Sequence, residues 1–224
     1  MADAPTVRVV SYNIHGQRDD RRALVEVVRG LAPDILLVQE GPRRLRWRAK
    51  CADLANRCRL VYAAGGLPAL GNVALVGLGT RVLESWCLRY PLTPGRHLRG
   101  AVFARCRVRG VEFLVAGTHL ATDPVERPGQ ARLLREALDG QAGPVVLAGD
   151  LNEGPDGSSW RTLAEGYVDL GEALTFPAAA PRSRIDAVLA GPGVRVVGHR
   201  VLDTPLARRA SDHLPVVADL VIEG

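Results

Sequence analysis

The stretch Ser211-Asp212-His213-Leu214-Pro215, followed by the apolar run Val216–Val221, decides how this chain is read. It sets a carboxylate and an imidazole side by side at the mouth of a strand. Consecutive residues within a strand point to opposite faces. At the lip of the strand both side chains can turn toward one site. Asp-His alone is a common dipeptide. Four further islands give it weight: Ser11-Tyr12-Asn13, Val38-Gln39-Glu40, Thr118-His119-Leu120 and Gly149-Asp150-Leu151-Asn152. Each puts an Asn, Glu, His or Asp at the end of a run rich in Val, Leu or Ile.

Working outward, the apolar spacing predicts strands over 7–14, 34–39, 60–63, 73–76, 82–88, 101–108, 111–118, 144–148, 185–189, 194–201 and 214–221. Helical spacing covers 19–31, 42–57, 124–138 and 157–164, the third with Leu133, Leu134 and Leu138 facing inward. Arg109-Gly110 reads as a tight hairpin turn. Mixed strand and helix order, with hairpins, argues for an α/β protein with mixed sheets. The β-rich middle, 60–118, excludes a simple doubly wound fold. Each half carries a strand, a helix and a strand that ends in a carboxylate, Glu40 or Asp150. No linker or low-complexity run divides the chain, so residues 1–224 are expected to form one domain.

Composition sets the bounds. Apolar residues make up 47%, enough for a substantial core, and only 4% are aromatic, so that core is mostly Val, Leu and Ala. No stretch approaches the length of a membrane span. Met-Ala-Asp-Ala-Pro-Thr has no basic region followed by an apolar run, so a signal peptide is not expected and the cytoplasm is the default location. Net charge is +5 and the isoelectric point about 9.4. That balance suits phosphates, nucleic acid or an anionic surface. It equally reflects arginine-rich composition, since Lys50 is the only lysine. Cys51, Cys58, Cys87 and Cys106 include no C-x-x-C pair, which argues against zinc or dithiol redox chemistry. Cys51 and Cys58 fall on the stripe Trp47-Cys51-Leu54-Cys58 and read as small buried hydrophobes.

The islands carry the chemistry. A carboxylate closing an apolar strand is costly to bury unless a cation or a donor meets it. Mg²⁺ takes one or two protein carboxylates and leaves its other positions to water and substrate phosphate. Glu40 and Asp212 are the first-choice ligands. Asn152, two residues beyond Asp150, can hold a phosphate oxygen while Asp150 orients or deprotonates the attacking water. Asp-x-Asn-x-Gly over 150–154 is also good turn chemistry, and the two readings are compatible. Phosphodiester hydrolysis needs a donor for the leaving oxygen and groups that take up phosphoryl charge. His119 and His213 suit these roles, and Asp186 is the candidate carboxylate partner of His213. His15 reads as a supporting or loop residue, and His199 as a surface residue.

Taken in order, these islands resemble the endonuclease/exonuclease/phosphatase superfamily, which shares the DNase I-like fold. The pattern runs Ser11-Tyr12-Asn13-Ile14-His15-Gly16, Gln39-Glu40, Gly71-Asn72-Val73-Ala74, Arg99-Gly100-Ala101, Thr118-His119-Leu120, Gly149-Asp150-Leu151-Asn152, Arg184-Ile185-Asp186 and Ser211-Asp212-His213-Leu214-Pro215. The resemblance implies a four-layer α/β/β/α sandwich of two packed mixed sheets, with an Mg²⁺ or Mn²⁺ site at one end. It implies that Glu40 and Asp212 match the metal carboxylates with Asn13 close by, and that Asp150 and Asn152 match the pair placing water and phosphate. Asp186 and His213 match an Asp–His pair, His119 a second histidine and Arg99 a phosphate-side arginine. Asn72 stands where some members carry an acid that supports the second histidine.

The substrate follows less directly. Arg43, Arg46, Lys50 and Arg57 share one face of the helix expected after Glu40. Such a stripe could track flanking phosphates, which puts DNA or RNA first. It could equally be a solvated helix face partly paired with Asp53. The alternatives are a small or lipid-headgroup phosphate ester and, more remotely, a non-catalytic phosphate-binding scaffold. A monomer without a membrane span is expected.

Overall fold

Strand β1 (Thr6–Asn13) shows how the layers arise. Its odd-numbered residues Val7 and Val9 enter an apolar layer between two sheets, and its even-numbered Val10 and Tyr12 pack beneath helices. This period of two repeats along the other central strands. A computed structural model describes residues 5–223; Met1–Ala4, part of the segment read for a signal peptide, lies outside them.

After β1 come α1 (Arg21–Leu31), β2 (Ile35–Gln39), α2 (Trp47–Arg57), β3 (Val61–Gly65), β4 (Val73–Val76) and β5 (Thr80–Arg89). The hairpin β6 (Gly100–Val108) and β7 (Val111–His119) leads to α3 (Arg127–Asp139), β8 (Val145–Asp150) and α4 (Ser158–Ala164). The short β9 (Val168–Asp169), β10 (Asp186–Ala190), β11 (Val194–Val201), α5 (Pro205–Ala210) and β12 (Val216–Ile222) complete the chain. One sheet has the order β11-β12-β1-β2-β4-β3, the other β5-β6-β7-β8-β10-β9. Helices α1, α2 and α5 cover the first sheet, and α3 and α4 cover the second. The expected four-layer α/β/β/α sandwich is what forms.

The two parallel pairs, β1–β2 and β7–β8, are each joined through a helix, α1 and α3. These are the two halves whose second strands end beside Glu40 and at Asp150. Sheets of this kind need close approach in places. Gly117, on the inner face, would put a Cβ 3.2 Å from side-chain carbons of both Leu37 and Val102. Arg109 and Gly110 both take positive φ, 48° and 90°, as a tight hairpin turn demands.

Several expectations needed correction. Helix α2 starts at Trp47, not at Pro42. The Arg43 guanidinium donates instead to the carbonyls of Leu70 (2.9 Å) and Leu98 (3.2 Å), which holds residues 42–46 as a loop. Arg43, Arg46, Lys50 and Arg57 therefore do not form one helical face. Arg46 caps the helix with φ 58°, and Arg57 pairs with Asp53 at 2.8 Å. Helix α3 starts at Arg127 with Pro128 in its first turn, and its inner stripe is Ala131, Leu134 and Leu138. Leu133 points outward, 36% exposed. Helix α5 was not anticipated, although Thr204 caps it through Ala207 N (3.1 Å) and Pro205 opens it. All four cysteines are free, and burial pushes the Cys51 and Cys58 thiols up to about 11, in keeping with their reading as hydrophobes. No helix among the described residues is long and apolar enough to cross a membrane.

Candidate active site

Strand periodicity decides which polar side chains meet. In β7, β8 and β10 the residues Phe113, Val115, Val146, Ala148, Val188 and Ala190 face the layer between the sheets. Continued by steps of two, the same faces end at His119, Asp150 and Asp186. The register puts Asp150 opposite His119 on one side and opposite Asp186 on the other. From the first sheet, β1 ends with Asn13 on its inner face. The apolar layer thus closes, at one end, in a polar cluster.

Asp150 is the hub, 1% exposed. Its Oδ2 accepts from Asn13 Nδ2 at 2.9 Å and lies 3.2 Å from His119 Nε2 and 3.8 Å from His213 Nε2. Its Oδ1 accepts from the backbone N–H of Asn152 at 2.9 Å. Burial alone would raise this carboxyl. Interactions with His119 and His213, including the bond from His119, together with the bond from Asn13 more than offset it, holding Asp150 well below its ordinary 3.8. The approach is tight because the preceding residue is glycine. A Cβ on Gly149 would sit 2.0 Å from the Thr118 carbonyl oxygen.

The two histidines are oriented differently. Arg99 Nη1 lies 3.2 Å from His119 Nδ1. A guanidinium only donates, so Nδ1 accepts and the ring proton on Nε2 points at Asp150. Arg99 is itself 8% exposed, and burial lowers its pKa against the pull of Asp150 and Glu40. His213 Nδ1 lies 2.9 Å from Asp186 Oδ2, the pairing expected from sequence. Burial disfavours the His213 cation, but Asp186, Asp150 and Asp212 reverse the effect and push it up to about 9. Burial also raises Asp186, which its interactions with His213 only partly counter. The Phe176 ring packs on His213 with centroids 4.7 Å apart.

Beside this cluster lies an open cavity of about 370 Å³. Glu40, Arg43, Arg99 and His119 line it, together with Arg18, Arg21, Arg44 and Lys50. Arg46 is not part of its wall. Asn72 lies beneath, 1% exposed, donating to the carbonyls of Ala69 (2.9 Å) and Gly100 (2.8 Å). It makes no hydrogen bond to His119, whose orientation falls to Arg99 instead. Asn152 donates to Leu120 O at 2.9 Å and has φ 53°, so the turn reading of 150–154 holds while its side-chain oxygen stays free.

Strands β2 and β12 flank β1, so Glu40 and Asp212 emerge on either side of Asn13. Ser211 Oγ ties the last of these segments down, donating to Asn13 O at 2.7 Å. Glu40 is half-buried at the cavity and has no hydrogen-bond or ion-pair partner among the described residues. Asp212 Oδ2 stands 3.8 Å from His15 Nε2, and His15 is held by Asp19 at 2.8 Å. The Asn13 side-chain oxygen, which also accepts from His15 N at 3.0 Å, and the Glu40 and Asp212 carboxylates are hard-oxygen groups of the kind Mg²⁺ or Mn²⁺ takes. The buried trio Asp150, Asp186 and His213 also lies within ligand range of one point. Its charges are already balanced internally, and His15, Asp19 and Asp212 form a second group within the same range.

Sequence reasoning missed Ser211, Phe176, Arg18, Arg21 and Arg44. Only Ser211, beside Asp212, carried a signal. His97 is exposed. His199 is half-buried against Gly171 and not on the surface as expected; burial lowers its pKa.

A buried Asp flanked by two imidazoles lies beside a cationic cavity with an unpaired Glu, an arrangement chemically suited to hydrolysis of phosphoric esters. The sequence profile of the Endonuclease/Exonuclease/phosphatase family matches residues 10–213, and the chain belongs to that family. No curated protein sequence matches it significantly. Among solved structures, it resembles an endonuclease/exonuclease/phosphatase family protein from Bacteroides thetaiotaomicron at 19% identity, with TM-score 0.80 over 99% of this chain and 96% of that one. A mannosyl-6-phosphatase from Bacteroides thetaiotaomicron VPI-5482 matches at 19% identity and TM-score 0.79, over 96% of this chain and 100% of that one. D. rerio TDP2, complexed with single-strand DNA product, matches at 19% identity and TM-score 0.79, over 96% and 98%.

Proposed function

We propose that this chain hydrolyses small phosphate esters with the help of a divalent ion, Mg²⁺ or Mn²⁺, held by Glu40 and Asp212 with Asn13 beside them. When bound, such an ion would neutralise charge on the phosphoryl and leaving oxygens. Asp150, kept ionised by its donors, accepts a hydrogen bond from the attacking water and aligns it. Asn13 fixes the Asp150 carboxylate, and the free Asn152 side-chain oxygen accepts from the same water. His213 is held by Asp186 and packed by Phe176. It presents Nε2–H to the charge that develops on phosphorus-bound oxygen. Arg99, steadied by His119, binds the phosphate from the cavity side. The single observation that carries this reading is Asp150 itself, a buried carboxylate met by three nitrogen donors, one of them on the cavity-lining His119.

Nucleic acid as substrate rested on the basic stripe, and the loop ending at Arg46 dissolves that stripe. Arg43 faces the cavity and Arg46 does not. A cavity of about 370 Å³ is at the small end of ligand pockets, roughly 300–1,000 Å³. The test is turnover of bis-p-nitrophenyl phosphate after exhaustive EDTA treatment and again with Mg²⁺ or Mn²⁺ restored. Turnover that disappears with chelation and returns with the ion is expected. Full turnover in metal-free protein would overturn the metal assignment. No turnover of this diester or of p-nitrophenyl phosphate under any condition would overturn the hydrolytic reading.

A further inference from the structure

The cavity wall is more positive than one scissile phosphate requires. Beyond Arg99 and His119, which adjoin Asp150, the wall carries Arg18, Arg21, Arg43, Arg44 and Lys50. None of these cations, nor Arg99, has a carboxylate partner within 4.0 Å among the described residues. Elsewhere many arginines are paired, among them Arg8 with Asp219, Arg127 with Glu153, Arg184 with Asp169 and Arg208 with Asp203, and those unpaired among the described residues, such as Arg48 and Arg81, do not line this cavity. The wall's two acids do not balance it. Asp53 is committed to Arg57, and Glu40 is the proposed metal ligand. Arg21 Nε donates only to the Gln17 carbonyl, at 3.0 Å. A concave site lined by one sign of charge focuses its field on an incoming anion. Guanidinium groups match phosphate oxygens with paired, charge-assisted bonds.

Building on the proposed hydrolytic site, we infer that the substrate is a small ester bearing a second phosphate, seated on Arg18, Arg21, Arg44 and Lys50 while the scissile one lies at His119 and Arg99. The wall is built to hold that shape. Arg43 bridges the carbonyls of Leu70 and Leu98, so the loop carrying Arg44 is fastened to two other segments. Arg18 lies on the short connection between Asn13 and α1, and Arg21 opens α1. Both banks of the cavity therefore hang from strand ends that also position Asn13 and Glu40. Binding energy from the remote phosphate would be coupled to orientation at the reacting one.

The test compares kcat/KM of the Mn²⁺-supplemented enzyme on glucose 1,6-bisphosphate, glucose 1-phosphate, glucose 6-phosphate and a single-stranded oligonucleotide, beside bis-p-nitrophenyl phosphate. The bisphosphate is expected to exceed both monophosphates by about 100-fold, the worth of one or two charge-assisted hydrogen bonds. In Arg18→Ala/Arg44→Ala that ratio should fall by at least about tenfold, and Arg18→Lys/Arg44→Lys should restore part of it. Both positions are exposed, so an unchanged melting temperature is expected to accompany the loss. Equal rates on mono- and bisphosphate, with the chromogenic diester still cleaved, would overturn this inference alone. So would a preference for the oligonucleotide whose KM rises steeply with salt, the mark of a polymer backbone. Failure to cleave any ester, the diester included, would overturn the hydrolytic reading beneath it.

Discussion

Replacing Gly149 by alanine tests whether the site depends on how closely β7 and β8 approach. The added Cβ would lie 2.0 Å from the Thr118 carbonyl oxygen and 3.0 Å from Thr118 N. Ordinary contact begins at 3.4 Å, so the strands must part by about 1 Å or more, and overpacking of this kind costs about 1–3 kcal/mol. The shift falls on the residue before Asp150, where His119 sits 3.2 Å and Asn13 2.9 Å from one carboxylate oxygen. A misplacement of about 1 Å at reacting groups costs roughly 10²-fold in rate. Urea denaturation and kcat on bis-p-nitrophenyl phosphate should be measured on the same preparation. The expected result is a folded protein, less stable by that amount, with kcat down about 100-fold. A variant with native stability and native kcat would refute the reasoning, because the backbone contact would then constrain nothing.

Asp186→Asn should lower kcat by about 10²–10⁴-fold, since the amide no longer favours a proton on His213 Nδ1; a rate within twofold of wild type would rule out the pairing as an orienting device. Asp219 is held below its ordinary 3.8 chiefly by its hydrogen bond from Arg8, with smaller help from Arg200. A depressed carboxylate contributes stability that is present above the unfolded value near 3.8 and lost as pH falls through the lower folded value. Asp219→Asn should therefore lower the melting temperature at neutral pH, by about 0.2–1 kcal/mol in stability, and flatten the melting curve's decline below pH 4. Parallel acid profiles for the two proteins would show that this pair contributes nothing.

The parts of the site that lay on strands were legible because strand periodicity and chain ends leave little freedom. His119, Asp150 and Asp186 continue the inward face of Val115, Ala148 and Val188 by steps of two. Asp212-His213 was readable because the dipeptide borders the run that becomes β12. Parts set by long-range contacts were not legible. Pro42 signals the first turn of a helix, yet Arg43 bonds to carbonyls 27 and 55 residues away and delays that helix to Trp47. The basic stripe disappeared with it. Phe176 reaches His213 from a loop with no periodicity, and Arg18, Arg21 and Arg44 gain meaning only once two separate connections form one wall. Thr204-Pro205 marks the start of α5 by a capping hydroxyl and a proline, a local signal that apolar spacing does not carry in so short a helix.

The most direct test of the account is the kcat of Asp150→Asn on bis-p-nitrophenyl phosphate at saturating Mn²⁺, measured on protein whose fold is verified by circular dichroism. Asp150 is the group on which Asn13, His119, His213 and Asn152 converge, and the amide replacing it cannot accept from the water and keep those donors satisfied. The account predicts turnover reduced by about 10²–10⁴-fold in a folded, metal-binding protein. Turnover equal to wild type would contradict it.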